Sequence, residues 1–123
     1  MYFENRVMSE NSNADLVIAF STAGSPEEAR RIATALVDEQ LAACVNITDP
    51  IHSIYRWQGT TESAAESLMI IKTRASLLPA IELRLHDLHS YEVPELVAVP
   101  IAKGAQSYLD WLRASTGNPE GSS

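Results

Sequence analysis

The sequence lacks the residues from which several classes of protein are built. It contains a single cysteine, Cys44, so no disulfide can form within one chain. It has no apolar run long enough to span a membrane and no small-residue cleavage site near its start, so we expect a cytoplasmic protein. Lys and Arg are also scarce, 9 against 16 acidic residues, and the net charge of −7 disfavours nucleic acid and anionic membranes as partners.

The motifs that usually carry catalysis are missing as well. The sequence shows no glycine-rich phosphate loop, no Ser-His-Asp arrangement and no paired acid and base. We therefore expect a protein that is not an enzyme and requires no cofactor. Its 123 residues, 46% hydrophobic and 20% charged, are typical of one small globular domain, which can gain stability by forming oligomers.

The domain is expected to occupy residues 15–116, between flexible segments at 1–14 and 117–123. The first of these segments shows no helical or strand period, and the second is rich in Gly, Asn, Pro and Ser. Within the domain, the run Asp15–Ser21 predicts a buried strand. A helix should follow, because Ser25 can cap it, Pro26 suits its first position and Glu28 completes a capping box.

The apolar periodicity after this point predicts the remaining elements. The first helix shows apolar residues at a spacing of three and four from Ala29 to Leu41. From Ala42 the period becomes two and continues, after an interruption, through Ile51–Trp57. A turn then leads to a strand at Leu68–Thr73, which predicts a long antiparallel hairpin formed by the second and third strands.

The last third of the chain predicts a helix, a strand and a short helix. Ser76 is the expected cap of the second helix, with Pro79 in its first turn. The fourth strand is expected at Leu96–Val99, and Tyr108 with its neighbours marks a short C-terminal helix. These elements predict an α+β protein, a ferredoxin-like βαββαβ sandwich with both main helices on one sheet face. The other face would be left uncovered and marks an association surface.

Four segments, in this order, resemble those of one known family. They are Leu41–Asn46 (LAACVN), Ile54–Gly59 (IYRWQG), Ile70–Thr73 (IIKT) and His89–Glu95 (HSYEVPE). The chain resembles the CutA family of divalent-cation tolerance proteins from about Asp15 to Ala114. The resemblance implies a compact homotrimer, similar to PII-type signalling proteins, and a non-enzymatic role in tolerance of divalent cations, with Cu²⁺ or another divalent cation as ligand.

Candidate metal ligands follow from this resemblance and from the residue types. Copper-binding members of the family use a cysteine at the end of the first strand and two adjacent histidines. Here Ser21 and Leu88 occupy two of those positions, so His89 is the one ligand that remains. His86 lies three residues before it and could share its face. Cys44 is the only thiol, either a soft-metal ligand or, more often for such a residue, a small hydrophobic side chain.

A second candidate site consists of polar-tipped or charged residues at strand ends. They are Tyr55, Trp57, Lys72, Tyr91 and Glu95. In the family they resemble residues that line a cleft between subunits, where aromatic walls and a Lys-Glu pair suit a small anion or zwitterion. The alternative is that the aromatic residues anchor the trimer and that Lys72 and Glu95 form a structural ion pair.

Three other functions compete with divalent-cation tolerance. The first is a PII-like sensor that binds a small metabolite in the intersubunit cleft. The second, an RNA-recognition module of the same topology, would need aromatic and basic residues on its third strand, where Glu66–Lys72 provides no aromatic residue. The third, an acylphosphatase-type enzyme, would need an arginine-bearing loop where Ser21–Ser25 stands. The sensor is therefore the main alternative.

Overall fold

Residues 15–117, which the computed structural model describes, form an alternation of strands and helices. The elements are β1 (Leu16–Ala23), α1 (Pro26–Asp38), β2 (Cys44–Ile47), β3 (Ile51–Trp57), β4 (Thr60–Arg74), α2 (Leu78–Leu88), β5 (Val97–Pro100) and α3 (Gln106–Ala114). The predicted flexible segments lie outside the described residues apart from Gly117, whose N–H donates to the carbonyl of Gln40.

The strands pair in the order β2-β4-β1-β5, and every pairing is antiparallel. β3 also pairs with β4, along the part of β4 that extends beyond β1. This arrangement confirms the predicted ferredoxin-like α+β fold. The predicted second strand is divided into β2 and β3 around Pro50, and β4 is longer than predicted, because its polar half is stabilised by pairing with β3 rather than by burial.

The start of α1 forms as the sequence predicts. The side chain of Ser25 accepts a hydrogen bond from the N–H of Glu28, and Pro26 lies in the first turn. The helix ends at Asp38, because Gln40 adopts a positive φ of 61° that turns the chain back. Leu41 therefore lies just after the helix, not on it, although it still packs against the core.

The predicted cap of the second helix is wrong. Ser76 lies in a 3₁₀ turn, Ala75–Leu77, and is exposed, while the residue before α2 is Leu77, which makes no capping hydrogen bond through its side chain. The turn moves the start of the helix by one residue. Pro79 still falls in the first turn, where its missing N–H leaves no hydrogen bond unmade.

The main core lies between the sheet and the two longer helices. Ala19 and Ala23 of β1 and Met69 and Ile71 of β4 are fully buried in it. The helices contribute further buried side chains, Ala29, Ile32, Leu36, Ile81 and Leu85. Truncation of a large side chain in such a core typically costs about 2–5 kcal/mol. Both main helices therefore cover one sheet face, as predicted.

The opposite sheet face is covered only at one end. There α3 packs Leu109 and Leu112 against Leu16 and Ala43. Further along, Val97 pairs with Phe20 and Val99 with Ile18, and the two valines are 56% and 48% exposed. This open face, defined by Ile18, Phe20, Ile70, Val97 and Val99, is apolar, and no other element within residues 15–117 covers it. Separately, no helix within residues 15–117 is long and apolar enough to cross a membrane.

Candidate functional site

Glu28 joins the start of α1 to the segment that follows α2. Its carboxylate accepts hydrogen bonds from the N–H of Gly24 (3.2 Å), the N–H of Ser90 (2.7 Å) and the hydroxyl of Ser90 (3.2 Å). Burial opposes its ionisation, but the hydrogen bonds from Ser90 and Gly24, with the nearby ring of His89, prevail and lower the pKa of Glu28. The carboxylate is therefore a charged clamp that fixes the segment after α2.

His89 is held beneath this clamp with both ring nitrogens engaged. Its side chain is fully buried. Nε2 lies 2.6 Å from the carbonyl oxygen of Thr22, which can only accept, so Nε2 carries the proton and donates. Nδ1 accepts a hydrogen bond of 3.0 Å from the N–H of Tyr91 and lies 3.6 Å from Glu28. The imidazole therefore connects β1 to the segment after α2.

Tyr91 extends this network to β4. Its ring lies 4.5 Å from that of His89, tilted by 43°, and its hydroxyl donates a hydrogen bond of 2.6 Å to Oε2 of Glu66. Burial, the bond to Glu66 and the negative charge of Glu66 and Glu28 raise the pKa of Tyr91 well above its usual value of 10. The phenol consequently keeps its proton and acts as a donor to the carboxylate.

A cleft of about 630 Å³ opens between this segment and the β3-β4 hairpin. It is lined by three aromatic residues and three carboxylates, Tyr55, Trp57, Tyr91, Glu66, Glu92 and Glu95, together with smaller neighbours. Burial and the nearby charge of Glu66 raise the pKa of Glu95. None of the described residues that line the cleft is basic. Four of the five predicted cleft residues are thus brought together, and the cleft is acidic.

Lys72 is the exception, because within one chain it does not approach Glu95. Lys72 pairs with Ile18 and Cys44 in the strand register, which places it on the open sheet face. Its Nζ lies 5.8 Å from the ring centre of Tyr108. The cleft begins six residues earlier on β4, at Glu66, which corresponds to about 20 Å along a strand. No ion pair among residues 15–117 joins Lys72 to Glu95.

The predicted metal ligands do not meet in one chain. Cys44 begins β2, is half-buried, and places Sγ 3.9 Å from Oδ1 of Asn46, whereas His89 lies at the far end of β1 beside Thr22. His89 also leaves the helix face, because its backbone is extended (φ −87°, ψ 144°), while His86 is exposed. The expected His86-His89 pair is therefore wrong.

The described residues of one chain do not bring three metal ligands together. Within residues 15–117, no three His, Cys, Asp or Glu side chains are grouped so as to hold a metal ion. Coordination by His89 would first require loss of its bond to Thr22 or to Tyr91. Whether His89 and Cys44 bind metal stays a prediction.

Two residues of the site were not identified from the sequence. Glu28 was assigned only to helix capping, although it also binds Ser90. Glu66 gave no signal, because it lies in a polar stretch where its contact with Tyr91 depends on tertiary structure. Its only distinguishing feature in the sequence is its position, because this acidic residue stands just before the apolar run of β4.

Known proteins with similar sequences and structures fall in one family. The family model described as CutA1 divalent ion tolerance protein matches residues 17–115. The divalent-cation tolerance protein CutA of Thermus thermophilus is 51% identical over 100 residues, covering 81% of this chain and 97% of that protein. The chloroplastic protein CutA of Arabidopsis thaliana is 40% identical over 118 residues, 94% of this chain and 65% of that protein.

A solved structure shows that the likeness extends to the fold. The divalent cation tolerance protein of Thermus thermophilus superposes with a TM-score of 0.81 at 50% identity, over 83% of this chain and 99% of that one. The match includes the hairpin and the segment from His89 to Glu95, which form the cleft. The chain belongs to the CutA1 divalent ion tolerance protein family.

Proposed function

We propose that this chain acts in divalent-cation tolerance as a homotrimer that binds Cu²⁺ or another divalent cation weakly and catalyses no reaction. Membership of the family carries the proposal, since its relatives are named for divalent-cation tolerance. The net charge of −7 favours cations as ligands. Weak binding is expected because the described residues of one chain group no three metal ligands, so a tight site would need side chains from several subunits.

The absence of catalysis is supported by the state of the one buried histidine. A histidine acts as a general base only through a free ring nitrogen within hydrogen-bond reach of the reacting proton. Both nitrogens of His89 are occupied by protein groups, Thr22 and the N–H of Tyr91. A cytoplasmic location remains part of the proposal, although the Arabidopsis relative is named as chloroplastic.

Calorimetric titration with Cu²⁺ tests the metal part of the proposal. The wild-type protein should bind Cu²⁺ weakly, and affinity should fall in acid, because an imidazole binds a metal ion only in its neutral form. Cys44→Ala and His89→Ala test the two predicted ligands, with His52→Ala, a change in an exposed histidine of β3, as control. Lack of Cu²⁺ binding by the wild type at any pH would contradict the proposal.

The same titration separates the two ligands. Loss of Cu²⁺ binding only in Cys44→Ala would assign the metal to the thiol, and loss only in His89→Ala would assign it to the imidazole. Because His89 is buried within a hydrogen-bond network, its variant must first be shown to fold, by circular dichroism. If both variants bind as the wild type does, the metal is held by other groups.

A second candidate function is that of a small-ligand sensor, and the cleft favours it. Its volume lies within the 300–1,000 Å³ typical of small-molecule sites, and aromatic walls with a few polar groups are usual in such sites. Hydrogen bonds of Glu28 and His89 fix one wall of the cleft. Less conformational entropy of the protein is therefore lost when a ligand binds. Thermal-shift screening against metals and metabolites distinguishes the two functions, because a ligand of the folded state raises its melting temperature.

A further inference from the structure

The cleft has a charge that restricts what it can bind. Its lining includes the carboxylates of Glu66, Glu92 and Glu95, and no basic side chain among the described residues faces them there. With Lys72 on the open sheet face, no cation of the described part of the chain lies in the cleft to receive an anionic ligand. A small anion, or a zwitterion bound through its acidic group, would meet only negative charge from the described residues of this chain. The cleft therefore favours a cation.

An inorganic cation fits this cleft poorly. The three carboxylates are not grouped closely enough to surround an ion. Glu66, which is 9% exposed, already accepts the hydroxyl proton of Tyr91 through Oε2, and its second oxygen accepts no hydrogen bond from the described residues. Negative charge is thus spread over the cleft, and the second carboxylate oxygen of Glu66 is open to a further donor.

The aromatic residues indicate the kind of cation. Tyr55, Trp57 and Tyr91 line the same cleft as the carboxylates. Aromatic faces attract organic cations such as ammonium groups, and the interaction strengthens where water is excluded. The hairpin supplies two of these rings and the clamped segment supplies the third, so the cleft offers aromatic surface from both of its walls.

We infer that the acidic cleft binds a small organic cation, in which an ammonium group lies against the aromatic residues and is neutralised by the carboxylates. This inference rests on the second function proposed above, a small-ligand sensor, and specifies the charge of its ligand. Glu66 and Glu95 provide the negative charge, and Tyr55 and Trp57 provide the aromatic surface.

A set of three probes of nearly the same shape tests the inference. Choline is the cation, 3,3-dimethylbutan-1-ol is its neutral isostere, and 3,3-dimethylbutanoate is an anion of similar size. Binding is followed by fluorescence of Trp57 in a Trp111→Phe background, since the chain has 2 tryptophans. Choline should bind about tenfold more tightly than the neutral alcohol, and the anion should bind more weakly still.

Paired variants show whether choline binds in the cleft. Glu95→Gln and Tyr55→Leu should each weaken choline binding about tenfold. Their matched controls, Glu82→Gln on α2 and Tyr108→Leu on α3, remove the same groups from exposed positions outside the cleft and should leave binding unchanged. Thermal melting confirms that each variant is folded.

The outcomes separate the inference from the function on which it rests. If the anion binds as tightly as choline, the cleft is still a small-ligand site but the inferred charge is wrong. Should choline bind equally to wild type, Glu95→Gln and Tyr55→Leu, it binds elsewhere and the inference fails. If no probe changes the fluorescence, the inferred organic-cation site is contradicted, whereas the sensor function is decided by the thermal-shift screen.

Discussion

Glu28 shows how one side chain can serve two parts of the fold. The sequence predicts a capping box, in which the carboxylate would reach back to Ser25. In the structure the carboxylate instead accepts from Gly24, one residue earlier, and from Ser90, across the molecule. The local sequence predicts a negative charge at the start of α1, where the helix dipole favours it. It does not predict the hydrogen bond from Ser90 to Glu28, because that contact requires α2 to end beside α1.

Glu28→Gln should destabilise the fold at neutral pH. The amide cannot replace a charged acceptor of three hydrogen bonds, so the expected loss is about 1–3 kcal/mol. Because the folded pKa lies below the ordinary value of 4.5, this stabilisation is fully present above about pH 5 and disappears as pH falls through the folded pKa. Urea unfolding at several pH values measures it. Glu27→Gln, which alters the exposed neighbour, is the control; equal effects at every pH would contradict the clamp.

Glu95→Gln should have the opposite effect on stability. Burial and the charge of Glu66 raise the folded pKa of Glu95 above 4.5, so its charged form disfavours the folded state. The stabilisation that the protonated carboxyl of Glu95 provides is fully present below pH 4.5 and is lost as pH rises through the folded pKa. The variant should therefore melt at a higher temperature than the wild type near pH 7 and show no advantage in acid. A lower melting temperature at pH 7 would show that the ionised carboxylate has a favourable partner.

At the scale of elements, the β3-β4 hairpin differs from the rest of the sheet. β3 pairs only with β4, and Ile54, Tyr55 and Trp57 are 73%, 44% and 48% exposed. A hairpin that is isolated in this way is marginally stable in water. Contact with another subunit would enclose these side chains in a cleft between subunits, as the family resemblance implies. The hairpin thus forms one wall of the cleft and an extension suited to association.

Trp57→Ala should weaken assembly while leaving the fold of each chain intact. Removal of a large aromatic side chain from an interface typically costs more than 1 kcal/mol of binding, and Trp57 lies at a strand end outside the core. Light scattering at decreasing concentration measures the change. Trp111→Ala, which removes an equally exposed tryptophan on α3, is the control. If assembly is the same in both variants, Trp57 belongs to the cleft alone.

Elements with a strong local signal were predicted well, and contacts between elements were not. The start of α1 and the antiparallel hairpin follow from capping residues and from the period of two. The extent of β4 was underestimated, since its half near Thr60 is polar and exposed and shows no apolar alternation. The sequence correctly predicts that Tyr91 and Glu95 lie together in the cleft. It does not predict the position of Lys72, because the sheet face on which Lys72 lies depends on the register of β4 with β1.

The molecule as a whole has one sheet face that the elements of residues 15–117 leave largely uncovered. Ile18, Phe20 and Ile70 are only half-buried, and Val97 and Val99 are exposed beside them. A contiguous apolar surface of this kind marks an association site in soluble proteins. The two longer helices cannot cover it, because they already occupy the other face.

A trimer in solution is the final prediction, and a charge on the open face should abolish it. The wild type should have a mass of about three times 13.5 kDa by light scattering after gel filtration. Val99→Glu places a carboxylate against Ile18 in the centre of the open face, and burying it unpaired would cost several kcal/mol, so this variant should be a monomer. Leu83→Glu, on the outer side of α2 and 69% exposed, should remain a trimer. A wild-type mass near 13.5 kDa at micromolar concentration would contradict the prediction, and a trimeric Val99→Glu would show that subunits associate through another surface.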